Sequence, residues 1–350
     1  MPKPTDAPNY AWLAARAPSA PALADDWRSW IAENLILGAA PEDLAVQLQQ
    51  HLDISPELAA REVQAAQHSP YLQGARRLRN RLQKRDWTLD IASQLGKLLP
   101  ASLPRRHRLD TATFLREHYA ANRPVIVTGM LDDCAARSKW TLNWLAGRFA
   151  DRSVEVQFGR NGDADYEINS TAHKREMRFG EYIQLLQSHG RTNDFYMTAN
   201  NHSRNRAALA ELWDDVPRLP EYLAPMTEAD GFLWIGPAGT ITPFHHDLTN
   251  NFMMQLVGRK QVKLIAPWDT PRLRNHRHCF TPVDGRDLNR HPELHDVTVL
   301  DCVLEPGEIL FLPVGWWHFV EALDLSITVS ATHFHWNNHF VDSYPTDREF

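Results

Sequence analysis

TPFHHDLTNNFMMQLVGRKQVKLIAPWD, residues 242–269, sets two histidines and an aspartate at the mouth of a strand-like run. A polar cluster placed where a strand enters the core costs free energy unless something pairs with it. On a strand, His245 and Asp247 leave one face and His246 the other, because side chains alternate with a period of two. Two ligands of this kind make half of a facial metal site. Two histidines and one carboxylate on one face of an octahedron leave three positions open, the arrangement associated with non-haem Fe(II) oxygenases. The second histidine must then come from another strand. His318 is the best candidate, in EPGEILFLPVGWWHFVEAL (residues 305–323), where a Pro-Gly turn and a short apolar strand deliver it beside Trp316 and Trp317.

A bare H-x-D or H-x-E pair is weak, and the chain holds two others. His51 and Asp53 fall in a helical region, where a separation of two points side chains to nearly opposite sides. His291 and Glu293 flank Pro292 in a turn-rich loop unsuited to a rigid site. His245 and Asp247 differ by context: they are followed by Asn251, by a hairpin expected at Gly258, and by Lys260 at the start of the next strand. A cation there suits a cosubstrate such as 2-oxoglutarate. That molecule chelates a metal through its keto acid end and leaves a second carboxylate several ångströms away, to be neutralised in a mostly dry pocket. In the last strand Ser326, Thr328, Ser330 and Thr332 alternate with Ile327, Val329 and Ala331, one face of hydroxyls that could line a polar lumen. An ordinary half-exposed antiparallel strand would show the same alternation.

The 350 residues, 43% hydrophobic and 23% charged, suffice for one large or two modest domains. The net charge of -6 gives no global basic field, so nucleic acid is not the expected partner. Cys134, Cys279 and Cys302 lie far apart and are odd in number, which fits a reducing compartment. No window reaches the run of apolar residues that a membrane span needs, and the expectation is a soluble cytoplasmic protein.

Residues 1–24, rich in Pro and Ala, read as an extended lead-in. From 25 to 105 the pattern is helical: Asp25 or Asp26 can cap a helix carrying Trp27, Trp30, Ile31 and Leu35, while Pro41 and Pro56 open two more. A further helix carries Leu78, Leu82 and Trp87, expected to pack inward, and a basic face from Arg76 to Arg85, expected to be solvated. LLPASLPRRHR, with its two prolines, reads as a linker. After it, seven or more short strands separated by Gly, Pro and Asp turns point to an all-β sandwich or barrel over 106–350.

Together, GTITPFHHDLTNNFMMQLVGRKQVKLIAPWD and EPGEILFLPVGWWHFVEAL resemble the Jumonji-C, cupin-like family of Fe(II)- and 2-oxoglutarate-dependent oxygenases, especially the hydroxylase branch that includes the asparaginyl hydroxylase of hypoxia-inducible factor. The resemblance runs from about Arg108 to about Phe334. It implies a mainly β fold with helical additions, a double-stranded β-helix (jelly-roll) barrel preceded by an α-helical N-terminal region. It implies His245, Asp247 and His318 as iron ligands, with 2-oxoglutarate held by Thr242, Asn251 and Lys260, the lysine taking the distal carboxylate. Tyr196, in DFYMTAN, resembles a tyrosine that bonds the same carboxylate, and Ser330 stands where an asparagine often helps hold the cosubstrate. The implied reaction is hydroxylation of a C–H bond with O2, releasing succinate and CO2. The first-choice substrate is a peptide or protein side chain, followed by a free amino acid or small metabolite, then methyl-lysine demethylation. A zinc hydrolase would also use two His and a carboxylate, but has no evident need for Lys260; a non-catalytic binding barrel would not need the intact ligands. Any homodimer is expected through the N-terminal helices.

Overall fold

A computed structural model describes residues 23–199, 204–228, 230–273, 275 and 277–345. The lead-in expected over 1–24 therefore lies, up to residue 22, outside the described residues. The chain divides into two compact units, residues 1–91 and 92–350.

The first unit holds α1 (Asp25–Leu37), α2 (Pro41–His51), α3 (Pro56–His68) and most of α4 (Pro70–Gly96), inside which the division falls. Its core comes from one face of each of the first three helices: Trp27, Trp30, Ile31 and Leu35 from α1, Leu44 and Leu48 from α2, Ala59 and Val63 from α3. The Ser55 hydroxyl accepts from the Leu58 amide at 3.2 Å and caps α3. Neither Asp25 nor Asp26 caps α1; both sit in its first turn behind Ala24, where they face the positive end of the helix dipole instead. Leu78, Leu82 and Trp87 do not pack inward as expected. They are 56%, 41% and 65% exposed, because the buried core of the first three helices accepts Leu72 alone from α4.

The second unit is a jelly roll with helical additions. A six-stranded sheet runs in the order β1 (Arg105–His107), β2 (Val125–Thr128), β11 (Ile309–Leu312), β8 (Asn251–Val257), β13 (Ser326–Ala331) and β6 (Phe232–Gly236). A four-stranded sheet runs β10 (Val299–Leu304), β9 (Lys260–Ile265), β12 (Trp317–Ala322) and β7 (Ile241–His246). A third, of β4 (Lys174–Arg178), β3 (Ser153–Phe158) and β5 (Phe195–Tyr196), stands beside them. The two large sheets share an interior: Met253, Leu310 and Leu312 from one meet Val262, Leu264, Leu304 and Val320 from the other.

Two local expectations change. The proline-rich linker ends in a strand, β1, which runs parallel to β2 at the sheet edge. Gly258 does not close a hairpin: β8 pairs with β11 and β13, whereas β9 pairs with β10 and β12. The turn instead carries the chain from one sheet to the other, as alternation between facing sheets requires. Gly258 adopts φ +69°, and a Cβ there would lie 2.0 Å from the Leu325 carbonyl oxygen, so only glycine fits the crossing.

Candidate metal centre

His245 is the penultimate residue of β7 and Asp247 lies just past the strand's end, while His318 is the second residue of β12. The antiparallel register sets His318 directly opposite His245, and it shifts between His318 and Val320, an irregularity that re-aims side chains next to the site. His245, Asp247 and His318 each offer a ligand atom, and the three atoms lie within 4.8 Å of one another. His245 Nε2 stands 3.7 Å from Asp247 Oδ1, and His318 Nε2 stands 4.0 Å from Asp247 Oδ2. Such separations are too long for hydrogen bonds and suit donors grouped around a common centre.

The backbone chooses the tautomers. His245 Nδ1 lies 2.9 Å from the Pro243 carbonyl, and His318 Nδ1 lies 3.0 Å from the Trp316 carbonyl. A carbonyl only accepts, so each Nδ1 carries a proton and each Nε2 is the ring nitrogen that faces Asp247. The Asn251 amide donates to Asp247 Oδ2 at 3.2 Å and fixes the carboxylate, and Phe280 stacks on the His245 ring at 5.6 Å. Burial, followed by repulsion from His318, lowers the pKa of His245 and favours the neutral imidazole that a metal needs. For Asp247, burial acts to raise the pKa, but the neighbouring His318 and His245 and the Asn251 amide outweigh it, and the carboxyl falls below its ordinary value. A neutral His245 imidazole beside an ionised carboxylate, with a second imidazole from His318 at hand, is a donor set for a divalent ion.

His246 leaves the opposite face, as the period of two requires. Its ring packs edge-on against Trp317 at 4.8 Å, and its Nε2 lies 3.3 Å from the Asn275 amide and from the Tyr344 hydroxyl. The other His-x-acid pairs stay away. His51 stacks on Trp27, and His291 lies 3.6 Å from Glu293 on the surface of the loop. Among the described residues, His245, Asp247 and His318 form the one group of three His, Cys or acidic side chains placed to share an ion.

Behind these three runs a cavity of about 60 Å³. Thr242, Asn251, Lys260, Tyr196 and Ser330, chosen from the sequence, all line it. So do Thr328 and three residues the sequence reading passed over: Trp234, Met253 and Val320. Met253 and Val320 follow Asn251 and His318 by two positions on the same strands, so the period of two could have found them. Trp234 comes from β6 and donates its indole N–H to the Ser330 hydroxyl at 2.9 Å.

Lys260 is 3% exposed, and its ammonium donates to the Tyr196 hydroxyl at 3.2 Å. No carboxylate faces it among the described residues, and burial brings its pKa down to about 7. Asn251 Oδ1 is likewise buried without a hydrogen-bond partner. A buried lysine that lacks a counter-charge, in the same cavity as a metal-type donor set, fits a small chelating anion with a second negative group. Residues and group therefore match.

The cupin-like domain profile matches residues 111–342. The chain is 30% identical over 247 residues to lysine-specific demethylase 8 of Xenopus tropicalis, covering 65% of this chain and 52% of that protein. It is 29% identical over 245 residues to lysine-specific demethylase JMJ30 of Arabidopsis thaliana, covering 67% and 54%. It is 26% identical over 238 residues to tRNA wybutosine-synthesizing protein 5 of Danio rerio, covering 64% and 72%. The chain thus spans about half the length of the two demethylases.

Proposed function

Because the chain belongs to the cupin-like, Jumonji-C family, we propose that it is an Fe(II)- and 2-oxoglutarate-dependent oxygenase that hydroxylates a C–H bond, on a peptide or protein side chain. Residues 106–350 form the catalytic domain in this proposal, and 25–105 a helical domain before it. The observation that carries it is the pairing of the His245, Asp247 and His318 donor set with the uncompensated cation at Lys260, along one cavity. When bound, Fe(II) chelated by 2-oxoglutarate supplies the oxidant, coupling loss of CO2 from the keto acid to transfer of one oxygen atom of O2 into the substrate, with succinate as co-product.

The chain's own residues supply position and dryness. His245, Asp247 and His318 would hold the ion. Lys260 and the Tyr196 hydroxyl bind the distal carboxylate, and Thr242, Asn251 and Ser330 contact the body of the cosubstrate. Met253 and Val320 exclude water along the cavity wall. No side chain is asked to serve as a general base.

A groove of about 570 Å³ beside β7, lined in part by Ile241, Pro243, Phe280 and Phe319, supports a side chain on a larger substrate over a free metabolite. Methyl-lysine demethylation uses the same hydrogen abstraction, and the similarity to two lysine-specific demethylases favours it as the second reading. The net charge of -6 favours protein over nucleic acid. No helix among the described residues is long and apolar enough to cross a membrane, and the three cysteines are buried and unpaired, which supports a reducing, cytoplasmic setting. The exposed Leu78, Leu82 and Trp87 of α4 support a homodimer through the helical region.

Anaerobic addition of Fe(II) and 2-oxoglutarate is expected to give the weak visible absorption of the chelate, and His245→Ala and Asp247→Ala to abolish it. Persistence of the band in both variants overturns the ligand assignment. Succinate release, measured against peptide and metabolite pools, separates the substrate classes.

A further inference from the structure

Arg160 is among the largest fully buried side chains of the protein, yet it is neither a ligand nor a lining residue of the metal cavity. It opens a short turn (Arg160–Gly162) after β3, behind Gly159 at φ +72°. Its Nη2 donates to Glu167 Oε1 at 2.8 Å and to the Ile241 carbonyl at 2.7 Å. Its guanidinium carbon stands 4.2 Å from the Tyr166 ring centroid and 5.2 Å from that of Tyr196. Nε and Nη1 are buried without a conventional acceptor, and the two aromatic faces are what they meet.

Burying a guanidinium is costly, and a neutral side chain could fill the volume more cheaply. The position explains the choice. Ile241 begins the strand that carries Thr242 and His245 and leads into Asp247, and Tyr196 presents its hydroxyl to Lys260. We infer that Arg160 is a positioning and specificity residue for the dicarboxylate: a second cation that backs the Tyr196 ring, orients its hydroxyl and adds positive potential at the end of the cavity that Lys260 closes. The inference rests on the proposed 2-oxoglutarate site. Glu167 opposes it, since its carboxylate neutralises part of the guanidinium charge at 2.8 Å. Burial raises the Tyr196 pKa well above the ordinary value, and Arg160 acts against that rise, which makes the hydroxyl a stronger donor to an anion.

The test compares 2-oxoglutarate with 2-oxopentanoate, which has the same chain length but no distal carboxylate, titrated calorimetrically into the full chain loaded with Fe(II) under anaerobic conditions. A residue that merely stabilises the turn would weaken both ligands alike. Arg160→Met is expected to reduce the preference for the dicarboxylate about tenfold, the order expected for one charge several ångströms away in a partly dry site, with iron affinity unchanged. Arg160→Lys is expected to restore part of the preference. Glu167→Gln keeps the arginine and removes the opposing charge, so it is expected to raise the preference, and this variant carries the test if Arg160→Met does not fold. An unchanged ratio in Arg160→Met, or a fall in Glu167→Gln, overturns the inference. Lys260→Met separates the two levels. If it too leaves the ratio unchanged, the dicarboxylate site itself is wrong; if it collapses the ratio while Arg160→Met does not, only the role of Arg160 is wrong.

Discussion

Replacing Lys260 with methionine should leave metal binding intact and remove both the affinity for 2-oxoglutarate and its dependence on pH. Burial brings the lysine from 10.5 to about 7. That displacement corresponds to about 5 kcal/mol against the charged form. A dianion binds the charged lysine, so the direction with pH follows from proton uptake. Below about pH 7 the lysine already carries its proton, and affinity is flat. Above it, each binding event must take up a proton, and affinity falls by about tenfold per pH unit until the pKa of the complex is reached, a loss of about fiftyfold between pH 7 and 9. Tyr196, the titratable neighbour of the ammonium, is pushed up by burial and keeps its proton through this window. For the ligand-free protein the unfolded chain binds the extra proton between pH 7 and 10.5, so Lys260 makes stability rise with pH across that range. Anaerobic calorimetry of the Fe(II) protein at several pH values reads the slope directly. A flat profile in the wild type, or the same slope in Lys260→Met, would refute the assignment of this lysine to the distal carboxylate.

Two further outcomes follow from single contacts. Asn251→Ala removes the amide that fixes Asp247 Oδ2, and iron affinity measured by competition with a chelator should fall by about tenfold, the usual scale for a partner that orients a ligand; no change would mean the amide is dispensable. Gly258→Ala forces a side chain into the crossing at φ +69° against the Leu325 carbonyl, and should destabilise the protein by about 2 kcal/mol or more in denaturant unfolding.

The strands that carry the site were legible because their alternation is strong. His245 and Asp247 could be placed on one face from spacing alone, and His246 on the other, where it meets Trp317. His318 stood out because a turn and an apolar run precede it. Local pattern does not encode which sheet a strand joins, so the turn at Gly258 read as a hairpin although it crosses between sheets. β1 (RRH) and β4 (KREMR) are nearly all polar and lie at exposed edges, where nothing imposes an apolar period. Leu78, Leu82 and Trp87 looked like a core face because apolar residues in a helix usually are one, but α1–α3 already fill that core. Arg160 was hidden for a different reason. A lone arginine after a glycine carries no spacing signal, and its role appears only when Tyr166, Tyr196 and Ile241 converge on it.

Anomalous diffraction at the iron edge from crystals loaded anaerobically with Fe(II) tests the centre most directly. One strong peak is expected within bonding reach of His245 Nε2, His318 Nε2 and the Asp247 carboxylate together. A peak elsewhere, or one that either imidazole cannot reach, contradicts the proposed catalyst.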